Sequence, residues 1–353
     1  MLLKDILIDE NSSIKDALKK IDRAEEKVLL AVDGYSRLIG TITDGDIRRY
    51  ILSGKRLDGS IKGVCNRNPI VLPEKAYSVK KAKTILEVRG LKLIPIVDTN
   101  KKVVNFISQS SLLSINVPAK NVKRIDMAVI IMAGGKSTRL EPFSKIFPKP
   151  LIPIGDKPII DRIIDEFRKN GINRYYLTLN YKGDMIESYF NHMKKDYHVS
   201  FLREKGYYGT AGSLKLFHKY TDDTFIVSNC DVIIKADFED VIKFHNKQES
   251  DLTILSSMQH YKIPYGVINF KKGGEVINLT EKPEYTFAVN AGVYILRRKI
   301  LRFIPSHKRF DMTDLIKVLI DSRKRVFTYP VNENEYIDIG QWDEYKKAMG
   351  KIL

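Results

Sequence analysis

The chain has 353 residues, 43% of them hydrophobic, with a formal charge of +17, two cysteines and one tryptophan. At roughly 100 to 200 residues per domain this is material for about two domains, each able to bury its own core, and it excludes an intrinsically disordered chain. The longest apolar run, Met127 to Ala133, is far shorter than the ~20 residues that cross a bilayer, and charges interrupt the N-terminal MLLKDILIDE, so neither membrane insertion nor export is expected.

Cys65 and Cys230 have no CxxC spacing and no nearby histidine, which argues against a cysteine-based zinc site or a disulfide framework and for a reduced, cytoplasmic setting. The Lys and Arg excess is shared between the two halves of the chain instead of being gathered in a tail or on one helix. It therefore reads as solubility, and neither a nucleic-acid nor a membrane partner is expected.

The first elements repeat. At an ungapped offset of 65 residues, Ser13, Ile14, Ala17, Ile21, Val32 and Asp33 fall on Ser78, Val79, Ala82, Leu86, Val97 and Asp98. In each copy a serine stands before apolar residues at helical spacing, as an N-cap does, and a β-rich run (LLAVD, LIPIVD), a polar turn and a second apolar run follow. Each copy thus predicts a helix feeding a hairpin-like pair of strands, and two copies together make one domain. The first copy ends Gly40-Thr41-Ile42-Thr43-Asp44-Gly45-Asp46-Ile47, and the repeat resembles paired CBS domains. The resemblance implies that the Thr43 hydroxyl meets the phosphate of an adenine nucleotide and that Asp46 holds its ribose hydroxyls. In the second copy Ser108 replaces Thr43 and Ser111 replaces Asp46, so only one half-site keeps its ribose carboxylate. CBS pairs also serve as dimerisation scaffolds, and a homo-oligomer is expected.

The repeats span about 1–60 and 61–118. The polar, Pro-containing stretch 116–126 has neither helical nor strand period and reads as a connection, with the linker proper at 119–126 and a second domain over 127–353. That domain opens on a continuous apolar run of strand length, Met127 to Met132. A helical pattern from Pro158 to Asn170 then alternates with strands at Tyr175 to Asn180, Thr224 to Asn229 and Leu252 to Ser257. Such alternation predicts an α/β domain with a mainly parallel sheet, in which ligands bind beyond the carboxyl ends of the strands. The loops after MAVIIM and TFIVSNC are therefore where chemistry is expected.

The first of these loops, AGGKSTRL, sets two glycines, a lysine, a Ser-Thr pair and an arginine directly after a buried strand, a composition suited to a polyphosphate although it is not a Walker A loop. Residues 133–157 (AGGKSTRLEPFSKIFPKPLIPIGDK) resemble the signature of the sugar-phosphate nucleotidyltransferases. Further matches follow in order: Gly209-Thr210-Ala211-Gly212, Asn229-Cys230-Asp231, Tyr265-Gly266-Val267, Glu281-Lys282-Pro283, Asn290-Ala291-Gly292 and Asp338-Ile339-Gly340. The fold so implied is α/β: a CBS pair built as an α+β tandem repeat, then a Rossmann-like nucleotide-diphospho-sugar transferase domain with a mixed, mainly parallel sheet.

In that family an oxygen of a sugar 1-phosphate attacks the α-phosphate of a nucleoside triphosphate. The attacking phosphate is already ionised, so no general base is needed and catalysis rests on position and charge. The resemblance implies Arg139 on the triphosphate and Lys149 on the reacting phosphates as catalytic groups. Ala133, Gly134, Gly135, Lys136, Thr138, Gly209, Thr210 and Ala211 would bind the nucleotide. Asp231 and Asp338 would hold Mg2+. Glu281 would accept from sugar hydroxyls, Lys282 would hold the sugar phosphate, and Gly266, Asn290 and Ala291 would line the sugar pocket. None of the six histidines falls in a matched motif, and all are assigned surface or structural roles.

Two positions depart from the family pattern: Ser137 stands where glycine is usual, and is expected to alter affinity, and Cys230 replaces another common glycine as a buried filler. Relatives that use dTTP or UTP often carry a Gln in the loop occupied here by Gly209 to Gly212. Its absence leaves room for a purine, so GTP is the expected nucleotide, and the order of the two modules favours glucosamine 1-phosphate as the sugar. The alternatives are the same reaction with dTTP, UTP or CTP and another sugar 1-phosphate, or a catalytically inactive nucleotide-sensing regulator.

Overall fold

A computed structural model describes residues 2–75, 77–109, 124–136, 138–219 and 222–352. Ser111, Ser137, the Thr138 side chain and most of the expected linker lie outside the described residues. The chain divides into two units, Met1–Asn121 and Val122–Leu353.

In the first unit a short strand precedes the main helix of each repeat, and in the first copy the short helical turn Leu3–Ile6 comes before that strand. β1 (Leu7–Asp9), α1 (Ile14–Arg23), β2 (Val28–Val32), β3 (Leu38–Thr43) and α2 (Asp44–Leu52) make the first copy. β4 (Leu72–Pro73), α3 (Val79–Arg89), β5 (Leu93–Val97) and β6 (Val103–Ser108) make the second. β1 and β4 run parallel to β2 and β5, while β2/β3 and β5/β6 are antiparallel, pairing Val28 with Thr43 and Leu93 with Ser108. Both hairpins slip register at equivalent places, between Ala31 and Val32 and between Ile96 and Val97.

The copies are joined by a reciprocal pair of backbone bonds. The Leu38 N–H donates to the Lys101 carbonyl at 2.8 Å, and the Val103 N–H donates to the Ser36 carbonyl at 3.0 Å. Ser36 and Lys101 also share a left-handed backbone, with φ of 62° and 63°. The offset read in the sequence is thus a pseudo-two-fold relation in space, and the second copy contributes its own buried cluster of Leu72, Ala82, Leu86, Ile94 and Ile96. The sequence predicted a helix followed by a hairpin; the short leading strand was missed because three residues show no period.

The second unit is built on a seven-stranded sheet. Its strands are β7 (Ala128–Met132), β8 (Arg174–Leu179), β9 (His198–Arg203), β10 (Thr224–Asn229), β12 (Leu252–Lys262), β15 (Glu284–Arg297) and β16 (Val326–Val331), in the order β9-β8-β7-β10-β15-β12-β16. β15 alone runs antiparallel to its neighbours, so the sheet is mixed and mainly parallel, as expected. β7 is buried on both faces: Val129 and Ile131 meet one core with α4 (Ile159–Lys169), α5 (Gly183–Asn191) and α6 (Phe238–Lys247), and Ala128 and Ile130 meet the other with α7 (Met312–Asp321). A strand covered on both sides must be apolar throughout, which is why MAVIIM is continuous and not alternating.

Strand order reverses at β7, because the chain goes on to β8 on one side and returns to β10 on the other. The crevice beyond the carboxyl end of β7 is therefore the switch point where an open α/β sheet binds ligands. Smaller two-stranded pairs complete the unit, one of them Pro153–Ile154 with Lys157–Pro158. β11 (Val232–Ile234) bonds antiparallel to β17 (Tyr336–Asp338), and β13 (Val267–Phe270) with β14 (Val276–Thr280) forms a separate, exposed hairpin. A final helix, α8 (Trp342–Ile352), follows. Among the described residues no helix is long and apolar enough to cross a membrane.

Candidate active site

The β11/β17 pairing brings two distant carboxylates together. Val232 pairs with Asp338, and the Ile339 N–H donates to the Asp231 carbonyl at 2.9 Å, so Asp231 and Asp338 flank one backbone crossing. Gly340 sits at its centre. A Cβ there would lie 2.9 Å from Asp338 Oδ1, 3.3 Å from Asp231 Oδ2 and 3.7 Å from Lys149 Nζ, so only glycine leaves the three groups free to converge. The buried Lys149, presented by the turn Lys149–Leu151, donates to Asp231 Oδ2 at 2.5 Å. Asp338 is held at both oxygens, by the Gly340 N–H at 2.6 Å and the Tyr336 hydroxyl at 3.2 Å.

Among the described residues no group of three or more His, Cys, Asp or Glu side chains forms a metal cage. Two carboxylates at one crossing still fit Mg2+, which takes one or two protein oxygens and completes its shell with water and substrate phosphates. Asp231 and Asp338 are the residues that would hold it. Cys230 beside them is buried, and burial pushes its thiol up to about 12, which makes it inert packing.

The glycine loop occupies the other side of the switch point. The Ala133 N–H donates to Thr178 Oγ1 at 3.1 Å, which ties the end of β7 to β8. Gly134, Gly135, Lys136, Thr178, Glu204, Tyr207, Gly209, Thr210 and Arg309 line a cavity of about 540 Å³. This brings five of the eight residues expected to bind nucleotide into one space. Ala133 is buried behind the loop and Ala211 packs into the core. Lys136 is exposed, its ammonium 5.0 Å from the centre of the Tyr207 ring. Arg139 is exposed in the short turn Thr138–Leu140 that follows.

The turn Gly209–Gly212 is fixed from behind by the start of α7. The Ala211 and Gly212 N–H groups both donate to the Phe310 carbonyl, the Thr210 N–H donates to Asp311 Oδ1 at 3.1 Å, and the Met312 N–H donates to Thr210 Oγ1 at 2.8 Å. Gly209 has φ of 75°, and a Cβ on it would stand 2.5 Å from Asp311 Oδ1. Gly212 does not face the cavity. A Cβ there would press on Tyr208 and on the Lys308 carbonyl.

Asn290 and Asp338 share a second cavity of about 500 Å³ with Gln259, His260, Glu333 and Tyr336. Asn290 Nδ2 donates to the Tyr294 hydroxyl at 2.9 Å, and its Oδ1 accepts the Gly292 N–H at 3.0 Å, which sets the side chain at the bend of β15. Ala291 is buried beside it. Gly266, Glu281 and Lys282 stand elsewhere. They cluster at the base of the β13/β14 hairpin, where a Cβ on Gly266 would lie 3.0 Å from Glu281 Oε2, and neither cavity is lined by them. Glu284 and Asn290 are six residues apart on β15, about 20 Å of extended strand.

Glu204, Tyr207, Arg309, Gln259 and His260 escaped the sequence reading. The signal for Glu204 was its place at the carboxyl end of β9, a strand whose half-exposed run HVSFLR carries only weak alternation.

In the first unit Thr43 and Asp46 form an N-terminal cap for α2. Asp46 Oδ2 accepts from the Thr43 N–H at 2.8 Å and from its hydroxyl at 2.6 Å, and Arg49 pairs with Oδ1. Ser13 and Asp16 make the same box at α1.

Residues 128–353 match the family model described as nucleotidyl transferase, and residues 3–53 and 61–117 each match the CBS domain. A UTP--glucose-1-phosphate uridylyltransferase of Synechocystis is 30% identical over 64% of this chain and 63% of its own length, so the chain spans less than two thirds of that relative. A D-glycero-alpha-D-manno-heptose 1-phosphate guanylyltransferase of Aneurinibacillus thermoaerophilus is 28% identical over 64% of this chain and 98% of its own. The crystal structure of HddC from Yersinia pseudotuberculosis, also solved complexed with GMP-PN, superposes with a TM-score of 0.52 at 30% identity, covering 64% of this chain and 100% of that one.

Proposed function

The chain belongs to the nucleotidyl transferase family and carries a CBS pair, and from that premise we propose that it condenses GTP with a sugar 1-phosphate, glucosamine 1-phosphate in our reading, to a nucleotide-sugar and pyrophosphate. The observation that carries the reaction class is the meeting of Lys149, Asp231 and Asp338 around Gly340, beside a glycine loop at the switch point of the sheet. An oxygen of the sugar phosphate bonds to the α-phosphorus as the bond to the β-phosphate oxygen breaks, and pyrophosphate leaves with that electron pair. Mg2+, held by Asp231 and Asp338, would supply charge neutralisation between the phosphates. Lys149 would orient the reacting phosphates and Arg139 the departing pyrophosphate, with the backbone of Gly134 and Gly135 close to the triphosphate.

GTP is supported by two relatives, one named a guanylyltransferase and one solved complexed with GMP-PN. The sugar rests on module order, which resembles that of the glucosamine-1-phosphate guanylyltransferase of bacterial legionaminic acid biosynthesis. Thr43 and Asp46 would bind an adenine nucleotide, and the enzyme would act as a homo-oligomer. The test is to incubate the purified chain with each nucleoside triphosphate against a panel of sugar 1-phosphates and to read pyrophosphate release. GTP with glucosamine 1-phosphate should release it fastest; no release with any pair would overturn the assignment.

A further inference from the structure

We propose that Trp342 is a positioning residue for the reaction: its indole N–H fixes the segment that carries Arg139 and so sets where that arginine stands relative to Asp231 and Asp338. This rests on the reading above, in which Arg139 meets the departing pyrophosphate. The indole Nε1 donates to the Glu141 carbonyl at 2.7 Å, joining positions 201 residues apart in the chain. Glu141 lies two residues beyond Arg139 and Trp342 two beyond Gly340, so one bond ties the arginine's turn to the backbone crossing of the two carboxylates. Leu140 pins that turn to the core, while Arg139 itself is exposed. One pin leaves the turn free to swing about it; a second point of attachment stops the swing. Among the described residues the other side-chain hydrogen bonds that reach 141–147 from outside are those of Lys182, which donates to the Lys145 and Ile146 carbonyls at the far end. The end next to Arg139 is held by Trp342.

The chain has a single tryptophan, and its ring is held on two sides. Its centre lies 5.3 Å from that of Phe143 and 5.6 Å from that of Tyr345, edge-on to the latter, separations at which aromatic pairs attract. Tyr345 in turn donates its hydroxyl to the Pro153 carbonyl at 2.6 Å, just past the turn Lys149–Leu151. The start of α8 therefore touches the chain on both sides of the stretch that carries Arg139 and Lys149. An indole offers one donor and no acceptor, which suits a lone carbonyl. A phenyl ring in its place would keep the packing and leave the Glu141 carbonyl to water. Catalysis by charge depends on where the charge stands, and a displacement of about 1 Å caused far from the chemistry can cost as much as ~100-fold in rate.

The experiment measures kcat for pyrophosphate release by four forms of the full chain: wild type, Trp342→Phe, Arg139→Ala and the double variant. Each is assayed with Mg2+ and the substrate pair that the panel above finds fastest. Trp342→Phe should lower kcat about tenfold while the far-ultraviolet circular dichroism spectrum stays unchanged. In the Arg139→Ala background the same substitution should lower it less than about twofold, because the group it positions is already gone. A merely structural role would cost the same factor in both backgrounds. That result, or a Trp342→Phe rate near wild type, would overturn the proposal while the reaction class stands. Arg139→Ala at a near wild-type rate would overturn the arginine's role and this proposal with it. If Trp342→Phe does not fold, Phe143→Leu, which removes the ring on the indole's other side at a partly exposed position, decides by the same comparison.

Discussion

Lys149 neutralises Asp231 across a sequence gap of 82 residues, and the pair is largely shielded from solvent, so each group holds the other in a place from which phosphate can be reached. Removing one member leaves a charge without its partner and loses preorganised electrostatics, which is worth about a hundredfold or more in turnover. Asp231→Asn and Arg139→Ala should each lower the rate by at least that factor while far-ultraviolet circular dichroism stays unchanged; near wild-type rates at physiological Mg2+ would remove both from the site. Asp231 was legible because it ends an apolar strand within a short motif. Its ion pair was not, since nothing local in either segment encodes contact between them. His245 shows the same limit in the core. It is fully buried with Nδ1 on Thr253 Oγ1 at 2.8 Å, and burial, with Arg297 nearby, lowers its pKa to about 4. The unfolded chain takes up this proton near pH 6.5 and the folded chain only near 4, so stability is lost as pH falls through that window, by roughly 3 kcal/mol in all. His245→Gln should abolish that part of the acid slope, read from urea unfolding at pH 7 and 4.5; an unchanged slope would assign the acid sensitivity to other groups.

The short turn from Gly209 to Gly212 acts as an element because α7 holds it from behind. Four hydrogen bonds tie three residues of the turn and Met312 to one another and to the Phe310–Asp311 corner, and this puts Gly209 and Thr210 on the cavity wall. Gly209→Ala meets both a left-handed backbone and Asp311 Oδ1 at 2.5 Å. It should cost on the order of 1–3 kcal/mol of stability and raise the KM for GTP more than it lowers kcat, because it displaces a binding wall and not the carboxylate pair. Equal loss in kcat with an unchanged KM would show that the turn serves the reacting phosphates instead. Among the seven sheet strands β9, β15 and β16 were not singled out in the sequence, whereas β7, β8, β10 and the first half of β12 were readable from apolar runs, β10 to the residue, since strands covered on both faces leave little else possible. The β13/β14 hairpin was not. Its Ile268, Phe270, Ile277 and Leu279 are more than half exposed, so its apolar residues carry no information about a buried face. Glu281 and Lys282, at its base, line neither of the two cavities described above, although the family resemblance implied them in one sugar site with Asn290 and Ala291.

At the scale of the whole molecule, two units with separate cores share one chain, and a nucleotide bound to one affects the other only if it binds two states of the molecule with different affinity. The duplicated architecture of the first unit supplies an internal control for whether it binds one at all. Asp46 and Asp16 cap α2 and α1 by the same three bonds, from the backbone N–H and hydroxyl of Thr43 or Ser13 and back to the hydroxyl oxygen. Losing either cap should cost about 1 kcal/mol of stability. Only Asp46 lies in the segment that resembles a ribose site, so Asp46→Ala should in addition weaken AMP, ADP or ATP about tenfold, the cost of a charge-assisted pair, whereas Asp16→Ala should leave nucleotide affinity unchanged. Equal effects of the two variants on affinity would reduce Asp46 to a cap, and no heat with any adenine nucleotide would leave the repeat as a scaffold for assembly. Where binding is found, reciprocity makes a second demand that no structural role can meet: the factor by which AMP changes the affinity for GTP must equal the factor by which GTP changes the affinity for AMP, and calorimetry of each nucleotide in the presence of the other measures both.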